Sequence, residues 1–136
     1  MKIISGFMAA LLFPSIALAC QCKEQNINSN YKNAAMVVYA HAQDYIASPS
    51  GEGGTVVLVI HRWWKASSPK KIVVNSLTNC NFDFEVGNNY LLFLNIESNG
   101  LYYTDNCAGN KKLKSNNEYS EPLTILEKNN YIHSKK

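Results

Sequence analysis

The chain has 136 residues, of which 46% are hydrophobic and 17% charged, and its formal net charge is +3. That length suits one domain with a real core and leaves no comfortable room for two, while so mild a charge implies no nucleic-acid partner. Four cysteines, Cys20, Cys22, Cys80 and Cys107, make disulfides the first chemistry to consider.

The N-terminus reads as an export signal. Lys2 supplies a positive start, Ile3 to Leu18 is apolar apart from Ser5, Gly6, Pro14 and Ser15, and Ala17-Leu18-Ala19 is a small-x-small cleavage site. A membrane span needs roughly 20 apolar residues, more than this core provides. Residues 1–19 are therefore expected to be a signal peptide and 20–136 a single exported domain, secreted or periplasmic, with a frayed tail beyond about residue 130. Cleavage after Ala19 starts the mature chain on Cys20. A lipoprotein signal is the rival, but Ala17 stands where such signals carry Leu, and lipidating Cys20 would leave three thiols, one of them unpaired. No other feature implies contact with a membrane.

Cys20 and Cys22 lie too close along the chain for an unstrained bridge to each other, because residues i and i+2 of an extended segment point the same way. Each is expected to reach a distant cysteine, either Cys80 or Cys107. A bridge closing so long a loop contributes roughly 2–4 kcal/mol.

Lys23 to Asn33 is polar, with Ile27, Tyr31 and Ala34 or Ala35 at helical spacing, which predicts a short, weak helix. Met36 to Ala42, with its β-branched content, predicts a strand. Ser48 to Gly54 is a loop by its Pro and Gly content. Thr55 to Trp64, Lys71 to Leu77, Asn89 to Asn95 and Leu101 to Thr104 predict four more strands, separated by turn signals at Ser67-Ser68-Pro69 and Asn99-Gly100. Leu123, Ile125 and Leu126 after Ser120-Glu121-Pro122 predict a short C-terminal helix. Five short strands indicate a mainly β fold, a small antiparallel barrel or sandwich, and closure would remove exposed strand edges.

Little in the chain carries chemistry. His41 and His61 fall inside strands and His133 in the tail, with no His-x-x-His spacing, so they read as surface or strand-face histidines. Asp83 and Glu85 alternate with Phe82 and Phe84, as in a half-buried extended segment with its acids outward. Trp63, Trp64 and Tyr90 offer stacking area, and core packing is its expected use. Lys111, Lys112 and Lys114 suggest a solvated loop, Lys135 and Lys136 a frayed end. No nucleophile-base arrangement, phosphate loop or cofactor motif is present, and the chain does not read as an enzyme.

Order and spacing together resemble a family. Cys-x-Cys at the mature N-terminus, Ala35 to Val38, Trp64-Lys65, and Cys80-x-Phe82-x-x-x-x-Gly87-x-x-Tyr90-Leu91-Leu92-Phe93 leading to Cys107 are similar to the tissue inhibitors of metalloproteinases, above all their bacterial single-domain relatives. The resemblance implies a five-stranded OB-type barrel, monomeric, with bridges Cys20–Cys80 and Cys22–Cys107. It also implies a partner, a zinc metalloprotease, whose catalytic zinc is chelated by the α-amine and carbonyl of Cys20. A catalytic zinc keeps one position open to water, and an amine of pKa roughly 7.7–8.0 has a usable neutral fraction near neutral pH. By the same resemblance Gln21 points at the protease's main specificity pocket, Cys22 and Lys23 extend along the cleft, and Thr78 and Asn79 flank them. The chain departs from the family at Ala66 and Asn81, where Gly is usual, at Gln21, where a small residue is usual, and in lacking a third disulfide and a second subdomain. Two other readings accompany this one: a non-inhibitory binding module using the Ser48 to Gly54 loop or an aromatic face, and a thiol oxidoreductase using Cys-x-Cys.

Overall fold

A computed structural model describes residues 20–24, 26–77, 80–114, 124 and 126. Its elements are a helix α1 (Ile27–Asn33) and strands β1 (Met36–Ala47), β2 (Gly54–Lys65), β3 (Lys71–Ser76), β4 (Asn89–Ile96), β5 (Tyr102–Tyr103) and β6 (Lys111–Leu113). β1 pairs with β2, β2 with β3, and β4 with both β5 and β1, all antiparallel, while β3 and β5 run parallel. The β1–β4 pairing closes a five-stranded barrel of the OB type.

The strongest apolar runs, Met36–Ala40 and Tyr90–Leu94, are the strands covered on both faces. Their alternate residues Met36, Val38, Ala40, Tyr90, Leu92 and Leu94 join the barrel interior with Val56, Leu58, Ile60, Ile72 and Val74. The residues between them, Val37, Leu91 and Phe93, face outward into a second cluster with Trp64, Ala34, Leu113 and Leu126. Each such side chain fully buried contributes about 1.5–3 kcal/mol. β3 has one covered face and shows plain alternation, with Ile72, Val74 and Ser76 buried and Lys71 and Val73 exposed.

α1 spans seven residues, too few to persist alone, and tertiary contacts hold it. Asn26 caps its start, its Oδ1 accepting from Asn28 N at 2.8 Å. At the other end Lys65 Nζ donates to the carbonyls of Tyr31 and Lys32, both at 2.9 Å, where unsatisfied carbonyls and the helix dipole favour a cation. Tyr31 Oη donates to Trp64 O at 3.0 Å. Ile27, Tyr31 and Ala34 thus present the expected face to the outer cluster, while Lys23 and Glu24 lie outside the helix.

Three elements differ from expectation. β1 continues past Ala42 to Ala47 because a bulge at Gln43 lets Asp44 to Ala47 go on pairing with Val57 to Gly54. The lysine run is no loop: Lys111 and Lys112 belong to β6, which pairs with β4 and buries Leu113 in the outer cluster while both lysines stay exposed. β5 is only two residues long. Where β5 and β6 leave a gap along β4, Asn110 completes the ladder, its Oδ1 accepting from Phe93 N at 2.9 Å and its Nδ2 donating to Thr104 Oγ1 at 2.7 Å.

Trp64 and Tyr90 are buried and Trp63 packs against the interior cluster, so the aromatic area serves the core. Phe82, Phe84 and Tyr90 meet edge to face across one mouth of the barrel, with Asp83 and Glu85 outward as expected. Of the expected C-terminal helix, Thr124 and Leu126 are helical; its other residues, residues 1–19 where the signal peptide is expected, and Lys135 and Lys136 lie outside the described residues.

Candidate functional site

The N-terminal segment is fastened to the barrel by two disulfides, Cys20–Cys80 and Cys22–Cys107, with Cα atoms 5.6 and 5.0 Å apart. All four cysteines are used, and the Cys-x-Cys pair does not close on itself. Cys80 sits just beyond β3 and Cys107 just beyond β5, and because these strands are parallel neighbours their following loops emerge together. Asn106 N donates to Cys80 O at 2.7 Å, tying one loop to the other. Asp105 shapes the second loop by accepting from Cys107 N at 2.8 Å through Oδ1.

On this footing Gln21, Cys22, Lys23 and Glu24 are exposed and Cys20 is half-buried. The segment has no regular secondary structure, so its backbone groups belong to no sheet ladder. Thr78 and Asn79, expected to flank it, lie outside the described residues; their neighbours Leu77 and Cys80 are described, and Leu77 is exposed.

The hairpin between β1 and β2 abuts the same loop. Gly53 has φ +66, and a Cβ there would collide with the Ser76 carbonyl and press on Asn81, so only glycine lets the hairpin approach this closely. Ser76 Oγ in turn accepts from Phe82 N at 2.6 Å. The turn itself is held by Ser48 N donating to Gly53 O at 2.9 Å. Beside the Cys22–Cys107 bridge a polar cleft of about 190 Å³ opens between α1 and the Cys107 loop, lined by Asn30, Asn33, Asn95 and Asp105.

The geometry thus gathers Cys20 to Lys23, the Cys80 loop, the Cys107 loop and the hairpin tip at one end of the strands. Among the described residues no three His, Cys, Asp or Glu side chains cluster as a metal site. Two disulfides assign the folded chain to an oxidising compartment, and no helix among the described residues is long and apolar enough to cross a membrane. A scan against protein-family models finds no match, and a search of curated proteins finds none. One juxtaposition has no trace in the spacing of the sequence: the β1–β2 register brings His41 and His61 side by side, and the β1–β4 register sets Asn89 beside His41.

Proposed function

We propose that the mature chain, exported by its signal peptide and beginning at Cys20, inhibits a zinc metalloprotease by presenting Cys20 to the catalytic zinc. The observation that carries this reading is the double anchorage of Cys20 and Cys22 beneath an exposed Gln21–Glu24 segment. A backbone held at two points two residues apart loses little conformational freedom when it enters a cleft, which favours affinity. The α-amine and carbonyl of Cys20 form a five-membered chelate able to displace the zinc-bound water. Gln21 then enters the specificity pocket, and Cys22 and Lys23 follow the cleft, with Thr78 and Asn79 beside them.

The resemblance to the tissue inhibitors of metalloproteinases supports the same reading. With the Cys20 sulfur committed to Cys80, lipid attachment there is disfavoured. Adding one alanine before Cys20 removes the amine from chelating position while leaving the bridges intact. The extended protein is expected to lose at least a hundredfold in inhibition across a panel of zinc endopeptidases while keeping its thermal midpoint. Equal inhibition by both forms would overturn the reading.

A further inference from the structure

Outside the N-terminal site, the barrel wall holds a second constellation. Tyr39 faces Arg62 across the β1–β2 pair, whereas the next residue, Ala40, faces Ile60. His61 is therefore the extra residue of a β-bulge, a device that re-aims a side chain. Its ring lies 5.3 Å from that of Tyr39 and 6.4 Å from that of His41, centroid to centroid. From the other neighbouring strand Asn89 stands opposite His41, with Oδ1 2.9 Å from His41 Nδ1.

With that amide oxygen as the acceptor, Nδ1 is the donor, which is the tautomer that leaves a lone pair on Nε2. Metal-binding histidines are held in this way, one ring nitrogen donating to a fixed oxygen and the other turned to the ion. Metal–nitrogen bonds of about 2.0–2.1 Å put the centroids of two imidazoles on one ion up to about 6.5 Å apart when the nitrogens face each other across it, and about 5 Å apart at a tetrahedral angle. The observed 6.4 Å meets that limit, and His61 is exposed and able to turn closer.

We propose that His41 and His61 form a two-histidine site for a borderline divalent transition ion, Cu²⁺ more tightly than Zn²⁺, with Asn89 as a positioning residue. Imidazole ligands suit these ions, and the general order of affinities places copper first. Water completes the coordination, since no third such ligand is gathered there among the described residues. The site stands apart from the N-terminal segment: His41 is level with Val59 on β2, five residues from Gly54, which pairs with Ser76. At about 3.3 Å per residue that is roughly 16 Å along the strand.

The test uses the oxidised chain beginning at Cys20, with its α-amine acetylated so that the N-terminus cannot bind the probe. Substoichiometric Cu²⁺ is added while the histidine ring signals are followed by NMR. The His41 and His61 resonances are expected to broaden together and His133 to stay sharp. His41→Gln and His61→Gln should each weaken Cu²⁺ binding at least tenfold, and Asn89→Ala several-fold, with unchanged backbone spectra; Zn²⁺ should compete more weakly. Broadening of only one of the pair, binding unchanged by either substitution, or binding that disappears on acetylation would overturn the proposal. Because the acetylated protein is blocked for inhibition, the result is independent of the inhibitory reading.

Discussion

Ala66 shows how one side chain can be at odds with its backbone. It follows β2 with φ +61, the only non-glycine residue with positive φ among the described residues. The left-handed region brings Cβ against the following carbonyl, at about 1–2 kcal/mol for an L-residue, and glycine escapes this. Glycine also has more freedom to lose on folding, by about 0.5–1 kcal/mol, which offsets part of the gain. Ala66→Gly should therefore stabilise the protein by roughly 0.5–1 kcal/mol, a rise of a few degrees in the thermal midpoint. A fall in that midpoint would show that the turn is relaxed as it stands. The sequence marks the position only through the resemblance, which has glycine there; nothing in Lys65-Ala66-Ser67 alone announces a left-handed residue.

Among the elements, α1 depends most visibly on others. Lys65, from the end of β2, covers its last carbonyls and lies 5.5 Å from the centroid of the Tyr31 ring. Lys65→Met keeps much of the stem packing and removes the charge-assisted bonds, so stability should drop by about 1–2 kcal/mol. Amide exchange at residues 30–34 should quicken, and an unchanged urea midpoint would count against this role. β6 is tied down more loosely. Lys112 Nζ meets Glu85 Oε2 at 2.7 Å, and this hydrogen bond raises the lysine above its ordinary pKa. Both side chains are well exposed, at 45% and 66%, so solvent weakens the pair. Legibility follows the same physics. β1 to β4 were readable because their apolar residues repeat at the strand period or fill both faces. β6 was not, because Lys-Lys-Leu has no period and becomes a strand only through pairing with β4. The Cys20–Lys23 segment was legible from its cysteines. The His41–His61 pair depends on a bulge, and register is a property of two strands that neither sequence displays alone.

For the whole molecule, the bridges matter more than their number suggests. They span 60 and 85 residues, and the longer encloses most of the barrel. In the chain-entropy account a loop of that size is worth about 4 kcal/mol, against a total of about 5–15 kcal/mol for a domain. The paired change Cys22→Ser with Cys107→Ser should therefore lower unfolding free energy by roughly 2–4 kcal/mol in denaturant titrations; a loss below about 1 kcal/mol would mean that the barrel alone supplies the stability.

The same crossed pairing sets an order on assembly. Any chain delivered N-terminus first presents Cys20 and Cys22 together, long before either partner, so the first oxidant it meets finds only a mismatched couple to join. The native partners arrive 60 and 85 residues later, the last of them after β5. Correct maturation thus requires that the early thiols stay reduced until the barrel has closed, or that a wrong bond be reshuffled. Bond formation and barrel closure are thus coupled steps in this small domain.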